Sequence, residues 1–189
     1  MKSDPHYFIA IKIDDTTKKS IASIQAIVNA KSIPFKIWVH EQDLHITLQF
    51  LGAVNEKKLE VLQEKLRVVE EIQPFTTKIG GLQTFGKKAQ PRVLWADVEK
   101  KSEIMKLYKK VTNECRELEI QTDTRSYQPH ITLAKKWNDR NIQLDETVFE
   151  NELNIKLEIR EVAIYRINLG NKVKYEPIAI YRLQGEKRG

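Results

Sequence analysis

From Tyr7 to Ile13 every residue except Lys12 is apolar, and the run is short and rich in isoleucine, which predicts a buried strand. Asp14-Asp15-Thr16-Thr17 then offers capping oxygens, and Ile21, Ile24, Ile27 and Val28 recur at helical spacing, so a helix should run to about Ala30. Phe35 to Val39 reads as a short strand, and Leu44 to Leu51 as a longer one closed by Gly52. Leu59, Leu62, Leu66 and Val69 share one face of a helix predicted from Asn55 to about Glu71. Phe75 to Phe85 is extended but interrupted by Gly80-Gly81, Arg92 to Val98 is a strand, and Ser102 is placed to cap a helix reaching about Leu118. After Pro129 the chain is strand-rich: a strand from His130, another from Leu153 to Ile159, then Val162 to Leu169 and Tyr175 to Leu183 as a hairpin around Gly170-Asn171.

Two of these strands open on the same tetrad, His45-Ile46-Thr47-Leu48 and His130-Ile131-Thr132-Leu133. At ordinary residue usage a chance repeat after two histidines is on the order of one in thousands. Alternation along an extended strand puts His and Thr on one face and Ile and Leu on the other. Each copy can therefore root itself in a core and present an imidazole beside a hydroxyl. The strand at Phe8 and the strand at Val93 stand in the same relation: both pairs are 85 residues apart. Two strand–helix–strand units with one offset predict an internal duplication, with two related lobes meeting at a pseudo-two-fold axis. No Gly-, Ser- or Pro-rich linker separates the halves, so residues 1–189 are read as a single bilobal domain.

The chain has 189 residues, 41% hydrophobic and 31% charged, within the range of an ordinary globular protein. A formal net charge of +6 favours an anionic partner, nucleic acid first. A single cysteine, Cys115, excludes an internal disulfide and points to a reducing compartment; within its helical pattern it reads as packing. No apolar run approaches a membrane span and no secretory leader is evident, so the expected location is cytoplasmic.

Histidine titrates nearest neutrality, so two facing imidazoles can act as base and acid in one step, each contributing ~10²–10⁴ in rate. Threonine hydroxyls two residues along suit phosphoryl oxygens, and Lys135 and Lys136 follow the second tetrad. There is no Cys/His cluster with metal-ligand spacing and no activated serine or cysteine. The residues thus predict cofactor-free acid/base chemistry on a phosphate ester, with water as nucleophile.

The chain resembles the 2H phosphoesterases, named for two H-x-T-x motifs, and within them the RNA 2′,3′-cyclic phosphodiesterases, also called 2′-5′ RNA ligases. The resemblance is carried by YFIAIKI, LHITLQFLG, Pro91 to Trp95 (PRVLW), PHITLAK and a late Gly170…Tyr175-x-Pro177, in the family's order over most of the chain. It implies an α+β, bilobal pseudo-two-fold 2H phosphoesterase fold, two antiparallel-rich sheets with outer helices around a central cleft. It also implies hydrolysis of a terminal RNA 2′,3′-cyclic phosphate to a 2′-phosphate by breaking P–O3′, together with a reversible ATP-independent 2′-5′ RNA ligation. Carried over by motif, His45 protonates the departing O3′, His130 activates water, and Thr47 and Thr132 hold the non-bridging oxygens. Lys135 stands where relatives often have arginine, keeping the charge but not the bidentate fork. Arg166 stands where they commonly have serine.

Other residues divide between packing and contact. Phe50 should alternate onto the core side, and Trp95 is chiefly packing. Tyr127 is a candidate nucleobase contact. Lys87, Lys88 and Arg92 precede or open the strand bordering the cleft and could guide an RNA backbone. His40 and His6 are read as surface histidines. The expected partner is RNA with a cyclic phosphate end or a cyclic nucleotide, and the expected state is a monomer. The alternative function is a non-catalytic module that binds RNA ends; a metal hydrolase lacks further clustered ligands.

Overall fold

A computed structural model describes residues 5–31, 33–123, 125–139, 141–144, 146–150 and 153–185. Among the described residues, nine strands and three α-helices are ordered β1 (His6–Lys12), α1 (Asp15–Asn29), β2 (Phe35–Trp38), β3 (His45–Ala53), α2 (Glu56–Lys65), β4 (Phe75–Lys87), β5 (Gln90–Val98), α3 (Ser102–Glu117), β6 (His130–Trp137), β7 (Ile155–Ile159), β8 (Glu161–Ile167) and β9 (Tyr175–Arg182). They build two antiparallel sheets, β3-β1-β8-β9 and β2-β6-β5-β4-β7. The bilobal α+β architecture expected from the sequence is the one observed.

The duplication extends to residue register. In the first sheet Lys12 lies opposite His45 and Ala10 opposite Thr47, with a bulge between Ile9 and Ala10. In the second, Asp97 lies opposite His130 and Trp95 opposite Thr132, with a bulge between Leu94 and Trp95. Every partner and both bulges are displaced by the same 85 residues. The halves are nonetheless interlaced. β2, from the first half, pairs with β6 in the second sheet. The chain then returns from β7 to supply β8 and β9 to the first.

Local chemistry explains most boundaries. Asp14 caps α1, its carboxylate accepting the Thr17 N–H at 2.8 Å, and Asn55 caps α2 by accepting the Lys58 N–H at 2.9 Å. Three expectations need correction. Ser102 is the first helical residue of α3 rather than its cap; Lys101 holds the cap position without a side-chain bond. The helix expected to Glu71 stays α-helical only to Lys65 and tightens into a 3-10 turn at Leu66–Glu71. The buried residues Leu66, Val69 and Ile72 recur every three positions, which matches the 3-10 repeat and not the 3.6-residue one. Gly80-Gly81 does not interrupt its strand. β4 runs through with a register shift between Ile79 and Leu82, a bulge that glycine accommodates.

The main core is continuous across both sheets. It takes Ile9 and Ile11 from β1, Ile46 and Leu48 from β3, Leu94 and Val98 from β5, and Ile131 and Leu133 from β6. The apolar partners of each tetrad are thus fully used as roots, at ~1.5–3 kcal/mol per buried side chain. Cys115 sits in this core, and burial pushes its thiol up to about 12, so it packs and does not attack.

Candidate active site

His45 and His130 are each half-buried at the start of their strands, and each ring is anchored by a carbonyl two residues earlier. His45 Nδ1 lies 2.7 Å from the Asp43 carbonyl oxygen, and His130 Nδ1 lies 2.7 Å from that of Gln128. A carbonyl can only accept, so each Nδ1 carries the proton and each neutral ring has its lone pair on Nε2. His45 Nε2 lies 3.0 Å from Thr47 Oγ1, which makes the threonine hydroxyl the donor while the ring is neutral. β3 and β6 approach one another directly, and His45 feels the charge of His130 and of Lys135. The structure therefore brings His45, Thr47, His130 and Lys135 within reach of one another, with Thr132 two residues beyond His130 on β6.

The two rings have different surroundings. His45 is enclosed by Phe8 at 4.7 Å, Tyr175 at 5.2 Å and Tyr165 at 6.3 Å between ring centroids. Burial, aided by Lys135, lowers its pKa to about 4. His130 packs edge-on to Phe85 at 5.2 Å and against Trp95 at 5.4 Å. Burial lowers its pKa too, but the Gln128 carbonyl and the Asp97 carboxylate pull upward. Lys135 is pushed below its ordinary value by burial and by Lys174, a second ammonium that borders the site.

Several residues that shape this site were given no site role from the sequence, although Tyr175 was quoted as part of a motif. Asp43 is buried and accepts the backbone N–H of Lys174 at 3.0 Å and of Tyr175 at 3.0 Å, stapling the β8–β9 hairpin beside His45. Phe8, Tyr165 and Tyr175 form the aromatic wall, and a small buried cluster of Phe8, Ala10, Ala163 and Tyr165 backs it. The legible signal was the period-2 pattern of β1 and β8, which puts Phe8 and Tyr165 on the face opposite to Ile9 and Ile164. The same alternation turns Arg166 away from His45. Its guanidinium stands 6.0 Å from the Tyr7 ring, so Tyr165 faces the imidazole.

Trp95 is buried as expected, stacked on Phe85 at 4.6 Å. Tyr127 is tied down: its ring stacks on Tyr108 at 4.1 Å and its hydroxyl donates to the Thr47 carbonyl at 3.1 Å. One face of that ring is covered, and the residue links the segment before the second tetrad to the strand of the first. Lys87 and Lys88 are exposed at the β4–β5 turn, and Arg92 is exposed on β5. Arg92 lies about 16 Å along β5 from Asp97. His40 caps the short turn Glu41–Asp43, its Nδ1 accepting the Gln42 N–H at 3.2 Å. Phe50 departs from expectation. It is 57% exposed, because the bulge places Leu48 and Gln49 consecutively on the core side and turns Phe50 outward.

The profile of the 2′-5′ RNA ligase superfamily matches residues 5–171. The chain is 33% identical to the RNA 2′,3′-cyclic phosphodiesterase of Bacillus subtilis, an alignment spanning 95% of this chain and 97% of that protein. It is 34% identical to the one from Geobacillus stearothermophilus over 97% of this chain, which spans 59% of that longer protein. In fold it is similar to a Thermus thermophilus protein, TM-score 0.79 at 24% identity, covering 96% of this chain and all of the other. It is likewise similar to Escherichia coli LigT complexed with 3′-AMP, TM-score 0.79 at 18% identity, covering 96% and 99% of the two chains. With a duplicated His-x-Thr cleft, a two-sheet fold and a family match over most of its length, this chain belongs to the 2′-5′ RNA ligase superfamily of 2H phosphoesterases.

Proposed function

We propose that the protein hydrolyses terminal RNA 2′,3′-cyclic phosphates to 2′-phosphates by two-histidine acid/base catalysis. The observation that carries this reading is the pair of carbonyl-anchored imidazoles, each with Nε2 as the nitrogen that can exchange a proton. Water attacks phosphorus while His130 Nε2 takes its proton, the P–O3′ bond breaks, and His45 Nε2 delivers a proton to O3′. Thr47, Thr132 and Lys135 bind the non-bridging oxygens, whose charge is greatest in the transition state.

Donation by His45 requires its charged form, which the ligand-free cleft disfavours. The phosphoryl anion supplies the missing counter-charge. It also competes for the Thr47 hydroxyl, releasing His45 Nε2 to take up a proton. With a 5′-hydroxyl in place of water as the nucleophile, the same steps break P–O3′ and form a 2′-5′ link without ATP, and their reverse cleaves that link back to the cyclic phosphate.

RNA ends are the proposed partner, and the exposed Lys87, Lys88 and Arg92 are proposed to contact the RNA strand beyond the reacting nucleotide. A monomeric cytoplasmic enzyme acting as one bilobal domain completes the reading. The strands exchanged between the sheets support the single domain, and one buried thiol fits a reducing compartment. No helix of the described residues is long and apolar enough to cross a membrane.

The test is incubation with a nucleoside 2′,3′-cyclic phosphate in EDTA, with the product identified by phosphorus NMR. A 2′-phosphate is expected. A 3′-phosphate would overturn the bond assignment, loss of turnover with chelator would favour a metal hydrolase, and no turnover at all would favour the RNA-end-binding module.

A further inference from the structure

We propose that Lys18 and Gln25 are positioning residues for the reaction: from one face of α1 they hold the segment that leads into the first tetrad, and so fix where His45 stands. The inference rests on the hydrolase reading above. The buried stripe of α1 runs Lys18, Ile21, Gln25, Val28, at the spacing of one helix face. In the other lobe α3 fills the same i, i+3, i+7 seam with Ile104, Leu107 and Val111, so packing alone asks for apolar residues there. Burying an ammonium and an amide is unfavourable unless each finds partners. Burial pushes the Lys18 ammonium below its ordinary value, against the pull of Asp15, Asp43 and Glu41.

Both side chains find backbone carbonyls beside the tetrads. Lys18 Nζ donates to the Gln42 carbonyl at 2.9 Å, inside the short turn Glu41–Asp43. The next carbonyl along, that of Asp43, is the one that accepts from His45 Nδ1. Gln25 Nε2 lies 3.0 Å from two carbonyl oxygens, those of Val39 and Leu133. The Val39 N–H donates to the same Leu133 oxygen at 2.9 Å. Leu133 closes the second tetrad, so Gln25 sits where the approach to one histidine is bonded to the strand of the other. The helix thus grips residues 39–42 at both ends. One contact sets their separation from β6, and the other sets the turn from which the His45 ring hangs. His130 hangs instead from Gln128, whose side chain is held by Asp97.

Lys18→Met keeps the length of the side chain and loses the donor, whereas Lys18→Arg keeps one. With a nucleoside 2′,3′-cyclic phosphate, Lys18→Met should lower kcat about ten-fold with KM little changed, and Lys18→Arg should recover most of the loss. Nitrogen-15 NMR of the ligand-free protein should show His45 losing its preference for the Nδ1–H tautomer in Lys18→Met, while His130 keeps its own. The melting temperature should hold or rise, since an apolar chain replaces a buried charge. Gln25→Leu, which leaves that charge in place, should show the same change at His45 with a few-fold loss in kcat, and it decides the matter if Lys18→Met does not fold. A lower melting temperature with the His45 tautomer and kcat unchanged would mark a purely structural group and overturn the proposal, as would equal tautomer changes at both histidines. A wild-type protein that turns over no cyclic phosphate overturns the hydrolase reading instead, and the hold on His45 is then judged by its tautomer alone.

Discussion

The two motif lobes share one backbone and carry different surroundings. Both histidines hang from a carbonyl two residues earlier, and both strands bulge after the threonine. The residue opposite the histidine is Lys12 in the first lobe, paired to Glu161 at 2.8 Å, and Asp97 in the second, accepting from Gln128 Nε2 at 3.0 Å. The residue that lends its carbonyl uses its side chain differently as well. Asp43 staples the β8–β9 hairpin over His45, whereas Gln128 reaches only to its neighbour Asp97. His45 therefore sits among three aromatic rings, and His130 against two rings with the Asp97 carboxylate pulling its pKa upward. Duplication supplied the geometry of a proton-exchanging pair; divergence around it gave the rings different surroundings, and His45, the ring proposed as acid, is the one that needs the phosphoryl anion to hold its proton.

The sharpest way to break the comparison is to remove either ring. His45→Ala and His130→Ala should each lower kcat/KM by about 10³-fold with unchanged circular dichroism. Replacing the ester by one with a nitrophenolate leaving group should rescue the His45 variant, which lacks the acid, and leave the His130 variant inactive. The reverse pattern would exchange the roles.

The difference in surroundings is read directly by titration. Histidine NMR on the free protein should find His45 near pH 4 and His130 below its ordinary value. The pH profile of kcat/KM should therefore peak on the acid side of 6.5, and a 2′-nucleotide should raise the His45 pKa. Stability follows the same sign. The unfolded chain protonates first, so the contribution of the neutral rings is complete above pH 6.5 and is lost as pH falls toward 4. A melting temperature that stays flat over that window would contradict the burial of these rings.

Asp43 and Gln128 hold equivalent positions with unequal duties. Asp43→Ala should cost about 2 kcal/mol in a denaturant melt, because it strands two backbone donors, and should lower kcat/KM by about ten-fold through the loosened hairpin. Asp43→Asn retains the oxygen that both N–H groups reach and should recover most of the loss, while Gln128→Ala should be milder in both assays. The smallest effect is expected at Tyr127, where Tyr127→Phe removes one bond to the Thr47 carbonyl. About 1 kcal/mol of stability and a few-fold decrease in kcat should follow.

How far the fold could be read from the chain depended on the range of the forces involved. Among the described residues apolar periodicity located every strand and α-helix, because each element buries its own stripe, and identical tetrads at one offset announced the paired histidines. Nothing in that pattern indicated that β2 would join the far sheet or that β8 and β9 would return to the first, since strand partners are selected by long-range packing. Phe50 was misplaced for a related reason. Simple alternation assumes an unbroken ladder, and the bulge that reverses it arises only when β1 and β3 are paired. Asp43 reads as an ordinary acidic residue until the hairpin, over a hundred residues later, lays its amides on the carboxylate.

The amino-acid sequence by itself determined which chemical groups this protein would offer: two imidazoles, two hydroxyls and a lysine on rooted strands. Tertiary structure decided their proton affinities and their neighbours, because burial and field at a side chain come from whatever segments the fold packs around it.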